Sequence, residues 1–157
     1  MNEEYGKILI VDDMLENRKL LAALITKNSN YTVALAKDGE GALMLLQKTE
    51  EDLPDLILLD IMMPNLSGFQ VAEKLKSDPK TKDIPIIFLT ALSDINSKIK
   101  AFEMGGVDYI SKPFNKYELL ARIRSQMNLK MLYDQIKQKN KKLEDREINL
   151  PYLVEEK

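Results

Sequence analysis

The chain of 157 residues contains neither cysteine nor histidine. Without cysteine it cannot form a disulfide, a thiol nucleophile or a thiolate metal site. Without histidine it cannot build a Ser-His triad, an imidazole base or a histidine-ligated metal site. Any site chemistry must therefore rest on carboxylates, hydroxyls and the cationic side chains of lysine and arginine.

Strong net charge and long apolar runs are also missing. The formal net charge is −2, which gives no reason to expect general attraction to nucleic acid. No secretory signal and no apolar stretch long enough to cross a bilayer can be found. With 45 % hydrophobic residues the chain has ample material for one core. These features predict a cytoplasmic protein with no membrane insertion, organised as one domain with an appendage.

Short apolar runs alternate with segments of helical spacing along the chain. The runs are rich in branched residues and mostly continuous, as in strands that are covered on both faces, and they span residues 7–11, 31–36, 56–59, 84–89 and 107–110. The helical segments span residues 15–27, 39–48, 68–76 and 94–104, with a last one from residue 116 onward. In the first helix, Leu20, Leu21 and Leu24 are expected in the core. The alternation predicts an α/β fold, a doubly wound five-stranded parallel sheet of flavodoxin-like order 2-1-3-4-5 with an extended C-terminal helix.

Five polar residues follow four of these runs: Asp12, Asp13, Asp60, Thr90 and Lys112. Because the carboxyl ends of parallel strands open on one crevice, these side chains are expected to meet there. The carboxylates need a compensating charge, and a hard divalent cation prefers oxygen ligands. The set therefore suits a cation together with a phosphoryl group, with Asp60 as the candidate nucleophile.

Simpler interpretations exist for each residue taken alone. Asp13 or Asp38 could cap the helix that follows it. Thr90 could be a satisfied hydroxyl at a strand end, Lys112 a solvated surface lysine, and Tyr109 a half-buried packing aromatic. The functional interpretation of these residues depends on their joint placement.

In the order of its motifs the chain resembles the receiver domain of two-component response regulators. The resemblance covers roughly residues 5 to 128 and rests on four motifs, each at the end of a predicted strand: Asp12-Asp13, the segment 60–68, Thr90-Ala91 and Lys112-Pro113-Phe114. It implies a receiver domain over residues 1–128 and a helical extension, a signalling helix or linker, over 129–157.

The resemblance assigns a metal site. It implies that Mg²⁺, or Mn²⁺, is held by the side chains of Asp13 and Asp60 and by the backbone carbonyl of Met62, with Asp12 acting through water. Lys112 would hold a phosphoryl oxygen as a point charge, and the Thr90 hydroxyl would donate to another.

The resemblance also implies a switch. Receivers place an aromatic at Tyr109 that turns inward when the threonine engages the phosphoryl group. Pro113 fixes the turn that aims Lys112, and a cis peptide bond is implied before it.

The implied function is a phosphorylation-dependent signalling switch. Asp60 accepts a phosphoryl group from a partner sensor histidine kinase or histidine phosphotransfer protein in a phosphorelay, so the chain is an enzyme only toward its own phosphorylation and dephosphorylation. Met62 and Leu92 should flank the path of water to the acyl phosphate. Because both are apolar, neither can orient a water molecule, and hydrolysis should be slow.

The last helical segment continues beyond the usual end of a receiver. Leu129, Ile136, Leu143 and Leu150 recur every seven residues and Leu132 adds a partner position, whereas the other core-like positions are Ser125, Lys139 and Arg146. This partial heptad seam predicts a marginal homodimer through the helix. Lysines at 137–142 are followed at once by acidic residues, so no nucleic-acid contact is expected.

Three alternatives stay open. A pseudo-receiver would serve only as a dimerisation scaffold, and the intact five-residue set argues against it. A haloacid-dehalogenase-type aspartyl-phosphate phosphatase requires an acid two residues after the nucleophile, where this chain has Met62. A flavodoxin cradles phosphate in its first loop, where Asp12 and Asp13 would repel it.

Overall fold

The fold is a parallel five-stranded sheet covered by helices on both faces. The computed structural model describes residues 5–91 and 95–149. The strands are β1 (Lys7–Val11), β2 (Thr32–Ala36), β3 (Leu56–Asp60), β4 (Ile86–Thr90) and β5 (Asp108–Ser111). The helices are α1 (Leu15–Asn28), α2 (Gly39–Lys48), α3 (Gly68–Ser77), α4 (Ile95–Glu103) and α5 (Lys116–Asn149).

The sheet order is β2-β1-β3-β4-β5 and every neighbouring pair is parallel. The predicted fold class is therefore confirmed. All five residues of β3 and all five of β4 are buried, which explains why these runs are apolar throughout and do not alternate. Apolar side chains of the two sheet faces form separate clusters, one including Leu9, Leu59 and Phe88, the other including Ile10, Leu58 and Ile123.

The predicted boundaries shift by one or two residues at several elements, and one core prediction is wrong. Leu21 and Ile25 are fully buried, as an i, i+4 pair on the inner face of α1, whereas Leu20 is 46 % exposed. Leu20 lies about 100° around the helix from Leu21, which turns it toward solvent. Leu92 and Leu150 lie outside the described residues.

The last helix is a single element of 34 residues, about 50 Å long. Its first part packs on the sheet through Leu119, Leu120, Ile123 and Met127, which are all buried. Farther along the helix, the side chains of Leu129, Leu132, Ile136 and Leu143 are exposed. The helix therefore runs well beyond the surface that its own sheet covers. Within residues 5–91 and 95–149, no helix combines the length and hydropathy that a membrane span requires.

The loop from β3 into α3 is fixed by a close backbone approach and a capping box. Ser67 accepts a hydrogen bond from the Gln70 amide, and the Gln70 side chain accepts one from the Ser67 amide. The Gly68 amide donates to the Ile61 carbonyl over 2.9 Å. A Cβ at Gly68 would lie 2.3 Å from the Asp60 carbonyl oxygen. Only glycine lets α3 begin this close to the end of β3.

Replacing Gly68 by alanine is expected to destabilise the fold by roughly 2 kcal/mol or more, because the clash is with backbone that cannot rotate away. Urea unfolding of Gly68→Ala measures the change. Gly41→Ala is the matched control, since its Cβ would meet only the Asp38 side chain within a helix where alanine is favoured. Equal stability of Gly68→Ala and wild type would contradict the steric argument.

Candidate functional site

The five predicted side chains come together at the carboxyl edge of the sheet. Asp12 and Asp13 follow β1, Asp60 ends β3, Thr90 ends β4 and Lys112 follows β5. Asp12, Asp60 and Thr90 are buried, whereas Asp13 is exposed. Carboxylate oxygens of the three aspartates lie within 4.8 Å of one another. The edge therefore concentrates negative charge in a partly enclosed place.

Lys112 supplies a cation to this cluster. Its Nζ lies 3.2 Å from Asp60 Oδ1 and 3.4 Å from Asp12 Oδ2, and its side chain is 21 % exposed. The Lys112–Pro113 peptide bond is cis, as the family resemblance implies. The Lys112 amide also donates to the Thr90 carbonyl over 2.8 Å, which ties the loop after β5 to the end of β4. The lysine is thus a fixed partner of two buried carboxylates and not a solvated surface residue.

Asp12 organises the turn that presents Asp13. Its Oδ1 accepts a hydrogen bond from the Met14 amide at 2.9 Å, and its backbone carbonyl accepts one from Arg18 Nη1 at 2.6 Å. Met14 is the N-cap of α1 and makes no side-chain capping bond, so Asp13 does not cap this helix. The capping alternative holds instead for Asp38, whose Oδ1 accepts from the Gly41 amide. Helix capping therefore does not explain the Asp13 carboxylate.

The residues present fit a divalent cation. Asp12 Oδ2 is buried, and within the described part of the chain it accepts no hydrogen bond. Together with Asp13 and Asp60 it offers the oxygen ligands that Mg²⁺ and Mn²⁺ prefer. One ammonium cannot balance three carboxylates, so a second positive charge completes the site.

Burial disturbs the titration of the candidate nucleophile. Desolvation first, and the neighbouring Asp12 carboxylate second, raise the pKa of Asp60 from its ordinary value of 3.8 to about 6. Lys112 and the Met62 amide act in the opposite direction, since both stabilise the charged form. The Met62 amide lies 3.3 Å from Asp60 Oδ1. At neutral pH the Asp60 carboxylate is therefore mostly ionised, and keeping this charge in a buried place lowers the free energy of unfolding.

The predicted switch residue Tyr109 lies on β5, and the predicted tuning residue Met62 follows Asp60 by two residues. Tyr109 is half-buried on β5, with its ring edge-on to Phe102 at 5.9 Å and the Lys98 ammonium 4.9 Å from its centroid. The Met62 side chain is 63 % exposed beside the acid cluster. The roles proposed for both residues stay predictions, and the place of Leu92 is not among the described residues.

Two residues that hold the site were not singled out from the sequence. Arg18 lies one helical turn beyond Met14, where its guanidinium reaches the Asp12 carbonyl. Gly68 permits the approach of α3 to Asp60. An arginine in the first turns of a helix and a glycine at a helix start are common features, so neither carries a signal that sequence inspection separates from a structural role.

Comparison with known proteins agrees with this geometry. Residues 8–124 match the family model of the response regulator receiver domain. The response regulator PleD of Caulobacter vibrioides is 42 % identical over 134 residues, a match that covers 85 % of this chain and 29 % of PleD. The chain belongs to the receiver-domain family of response regulators.

Solved structures show the same fold. The signal receiver domain of a signal transduction histidine kinase from Syntrophus aciditrophicus matches with a TM-score of 0.70 and 31 % identity, over 78 % of this chain and 90 % of that one. The chemotaxis protein CheY4 of Vibrio cholerae matches with a TM-score of 0.70 and 29 % identity, over 78 % of this chain and 98 % of that one. The chain spans less than half the length of two curated relatives that it matches, PleD and the probable transcriptional regulator ycf27 of Guillardia theta.

Asp60→Asn is expected to stabilise the metal-free protein at pH 7.5 and to lose roughly half of this advantage as the pH falls to 5. The folded state binds the Asp60 proton more tightly than the unfolded state, so the ionised side chain weakens folding above pH 6 and the penalty is relieved as the pH drops toward 3.8. The rise in pKa from 3.8 to about 6 corresponds to roughly 3 kcal/mol at most. Urea unfolding with a chelator present measures the difference, with exposed Asp52→Asn as control. Asparagine that destabilises equally at both pH values would contradict the assignment.

Proposed function

We propose that this receiver domain is a phosphorylation-dependent switch in a two-component phosphorelay, with Asp60 as the phosphoacceptor. The single observation that supports it best is the contact of the buried Asp60 carboxylate with the Lys112 ammonium beside two further carboxylates. The membership of the receiver-domain family agrees with the same role. The donor is a phosphohistidine on a sensor histidine kinase or a histidine phosphotransfer protein, since the chain itself has no histidine.

The chain's own groups carry the transfer. An Asp60 carboxylate oxygen attacks phosphorus in line, the bond from phosphorus to the donor nitrogen breaks, and an acyl phosphate forms. Lys112 stays within reach of a phosphoryl oxygen, and the Thr90 hydroxyl donates to another. Asp13, Asp60 and the Met62 carbonyl would hold Mg²⁺ or Mn²⁺, with Asp12 acting through water; when bound, the cation offsets charge on the carboxylates and the phosphoryl group. Catalysis is confined to the chain's own phosphorylation and dephosphorylation.

The proposal extends to setting and partners. It places the protein in the cytoplasm, with no nucleic-acid contact by this chain, and assigns Tyr109 as the aromatic that follows Thr90 on phosphorylation. It includes a homodimer through α5, because the helix runs beyond its own domain with exposed apolar residues.

Acetyl phosphate with Mg²⁺ should add one phosphoryl group to wild type and none to Asp60→Asn, because the site distinguishes donors by chemistry and not by size. Intact-mass spectrometry counts the added group, and a chelator should abolish the labelling. Asp52→Asn, a change at a 79 % exposed side chain, is the matched control and should label normally. Equal labelling of wild type and Asp60→Asn would refute Asp60 as acceptor. Absence of labelling in wild type would favour the dimerisation scaffold.

Met62→Glu should shorten the lifetime of the phosphorylated state by about tenfold, since a carboxylate at this position can orient the attacking water. Leu92→Asn is expected to act in the same direction. Release of phosphate after removal of the donor measures the rate, and Met62→Gln separates a polar effect from one that requires charge. Wild-type protein that loses phosphate as fast as Met62→Glu would show that the apolar side chain gives no protection.

A further inference from the structure

Methionine is the residue of this chain that a mild oxidant converts reversibly. The chain has no cysteine, so its sulfur atoms are all thioethers, at eight positions. Oxidation follows exposure to solvent, which differs widely among the methionines that the structure describes. Met62 is the most exposed of them at 63 %, followed by Met44 at 55 % and Met14 at 53 %. A dissolved peroxide therefore reaches Met62 at least as readily as any other methionine of the described residues.

Met62 differs from both of its neighbours in the chain. Met63 is 9 % exposed and belongs to the apolar cluster on one face of the sheet. Ile61 is 3 % exposed, and its amide donates to the Leu89 carbonyl over 3.1 Å. The chain is thus fixed on both sides of Met62, whereas the Met62 side chain lies in solvent. It can take up a polar group without burying it.

Met62 is also tied directly to the proposed phosphoacceptor. Its amide donates to Asp60 Oδ1 over 3.3 Å. Because its thioether is carried on a short unbranched side chain of this anchored residue, a group added to the sulfur stays within a side-chain length of the Asp60 carboxylate. Met44 and Met131 lie on α2 and α5, which carry none of the five site residues. Oxidation at Met62 therefore changes the chemistry next to the site, whereas oxidation at Met44 or Met131 does not.

The oxidation of a thioether by hydrogen peroxide needs no further reactant. The sulfur lone pair attacks one peroxide oxygen, the O–O bond breaks and an S–O bond forms. Sulfur loses two electrons, and the other oxygen leaves as hydroxide and takes up the proton of the first, which gives water. The product is a polar sulfoxide, whose oxygen accepts hydrogen bonds much more strongly than a thioether sulfur does.

We propose that Met62 is an oxidation site through which peroxide shortens the lifetime of the phosphorylated state. This inference rests on the proposed function, in which the apolar Met62 leaves the attacking water without a partner. The sulfoxide oxygen accepts a hydrogen bond from that water and orients it toward phosphorus. The thioether form keeps the phosphoryl group longer, and the sulfoxide form releases it sooner. Because methionine sulfoxide reductases return the thioether, the change is reversible.

Peptide mapping by mass spectrometry tests the site itself. The full chain is treated with limiting hydrogen peroxide, and one oxygen atom should appear on Met62 before it appears on Met63 or Met127, which are 9 % and 6 % exposed. Met62 that stays reduced while Met44 is converted overturns the proposal. This measurement needs no phosphorylation, so its outcome is independent of the proposed function.

The release of phosphate tests the effect. Oxidised and untreated wild type are labelled with acetyl phosphate and Mg²⁺, and the donor is removed. Oxidised protein should release phosphate about fivefold faster, and treatment with methionine sulfoxide reductases should restore the slow rate. Met62→Leu, which has an apolar side chain of similar volume without sulfur, should release phosphate equally fast before and after peroxide. Met44→Leu is the matched control and should respond to peroxide as wild type does.

Two outcomes overturn the proposal directly. One is oxidised wild type that carries the Met62 sulfoxide and still releases phosphate at the untreated rate. The other is Met62→Leu that accelerates after peroxide. Met14 needs its own control, because its amide donates to Asp12 Oδ1 over 2.9 Å and its side chain is 53 % exposed. Met14→Leu should respond to peroxide as wild type does, and loss of the response would overturn the assignment to Met62.

Urea unfolding separates an oriented water from a loosened fold. Oxidised and untreated protein should unfold at the same urea concentration, since the Met62 side chain is exposed in both. A lower midpoint after oxidation would assign the faster release to a loosened fold and overturn the role of the water. Wild type that takes up no phosphoryl group before oxidation overturns the proposed function, and the effect on lifetime with it, whereas the peptide map still decides whether Met62 is the oxidation site.

Discussion

The repulsion among three neighbouring carboxylates is the constraint on which the rest of this molecule depends. Asp12, Asp13 and Asp60 place oxygens within 4.8 Å of one another, and Lys112 provides one ammonium among them. Their negative charge exceeds what one lysine balances, and burial with repulsion raises the pKa of Asp60 to about 6. Such a site favours whatever brings positive charge to it. Its charge imbalance thus favours the binding of a cation.

The sheet keeps this unfavourable arrangement in place. Strands β3 and β4 are buried along their whole length, so the ends that bear Asp60 and Thr90 have little freedom to separate. Gly68 brings α3 against the Asp60 carbonyl, and Arg18 binds the Asp12 carbonyl from α1. The stability of the apolar core offsets the cost of assembling like charges at its edge.

Strand β5 connects the acid cluster to the opposite end of the domain. It is followed by Lys112, which contacts Asp60, and it carries Tyr109, whose ring packs against Phe102 of α4. It is preceded by the exposed Val107, which lines a pocket together with residues of α5. One short element therefore connects the site with α4 and α5. The curated relatives extend well beyond the length that this chain matches.

The alternation of apolar runs and helical segments was enough to predict the five-stranded order, because parallel strands buried on both faces need continuous apolar sequence and right-handed crossovers. The convergence of Asp12, Asp13, Asp60, Thr90 and Lys112 followed from the same topology. Exposure on α1 could not be predicted, since Leu20 and Leu21 are alike in sequence and differ only in the direction that the packed helix gives them. The pKa of Asp60 and the hydrogen bond from Arg18 to the Asp12 carbonyl were likewise decided by tertiary structure. Each depends on distances between residues far apart in the chain, and sequence spacing carries no information on burial or on which atoms meet.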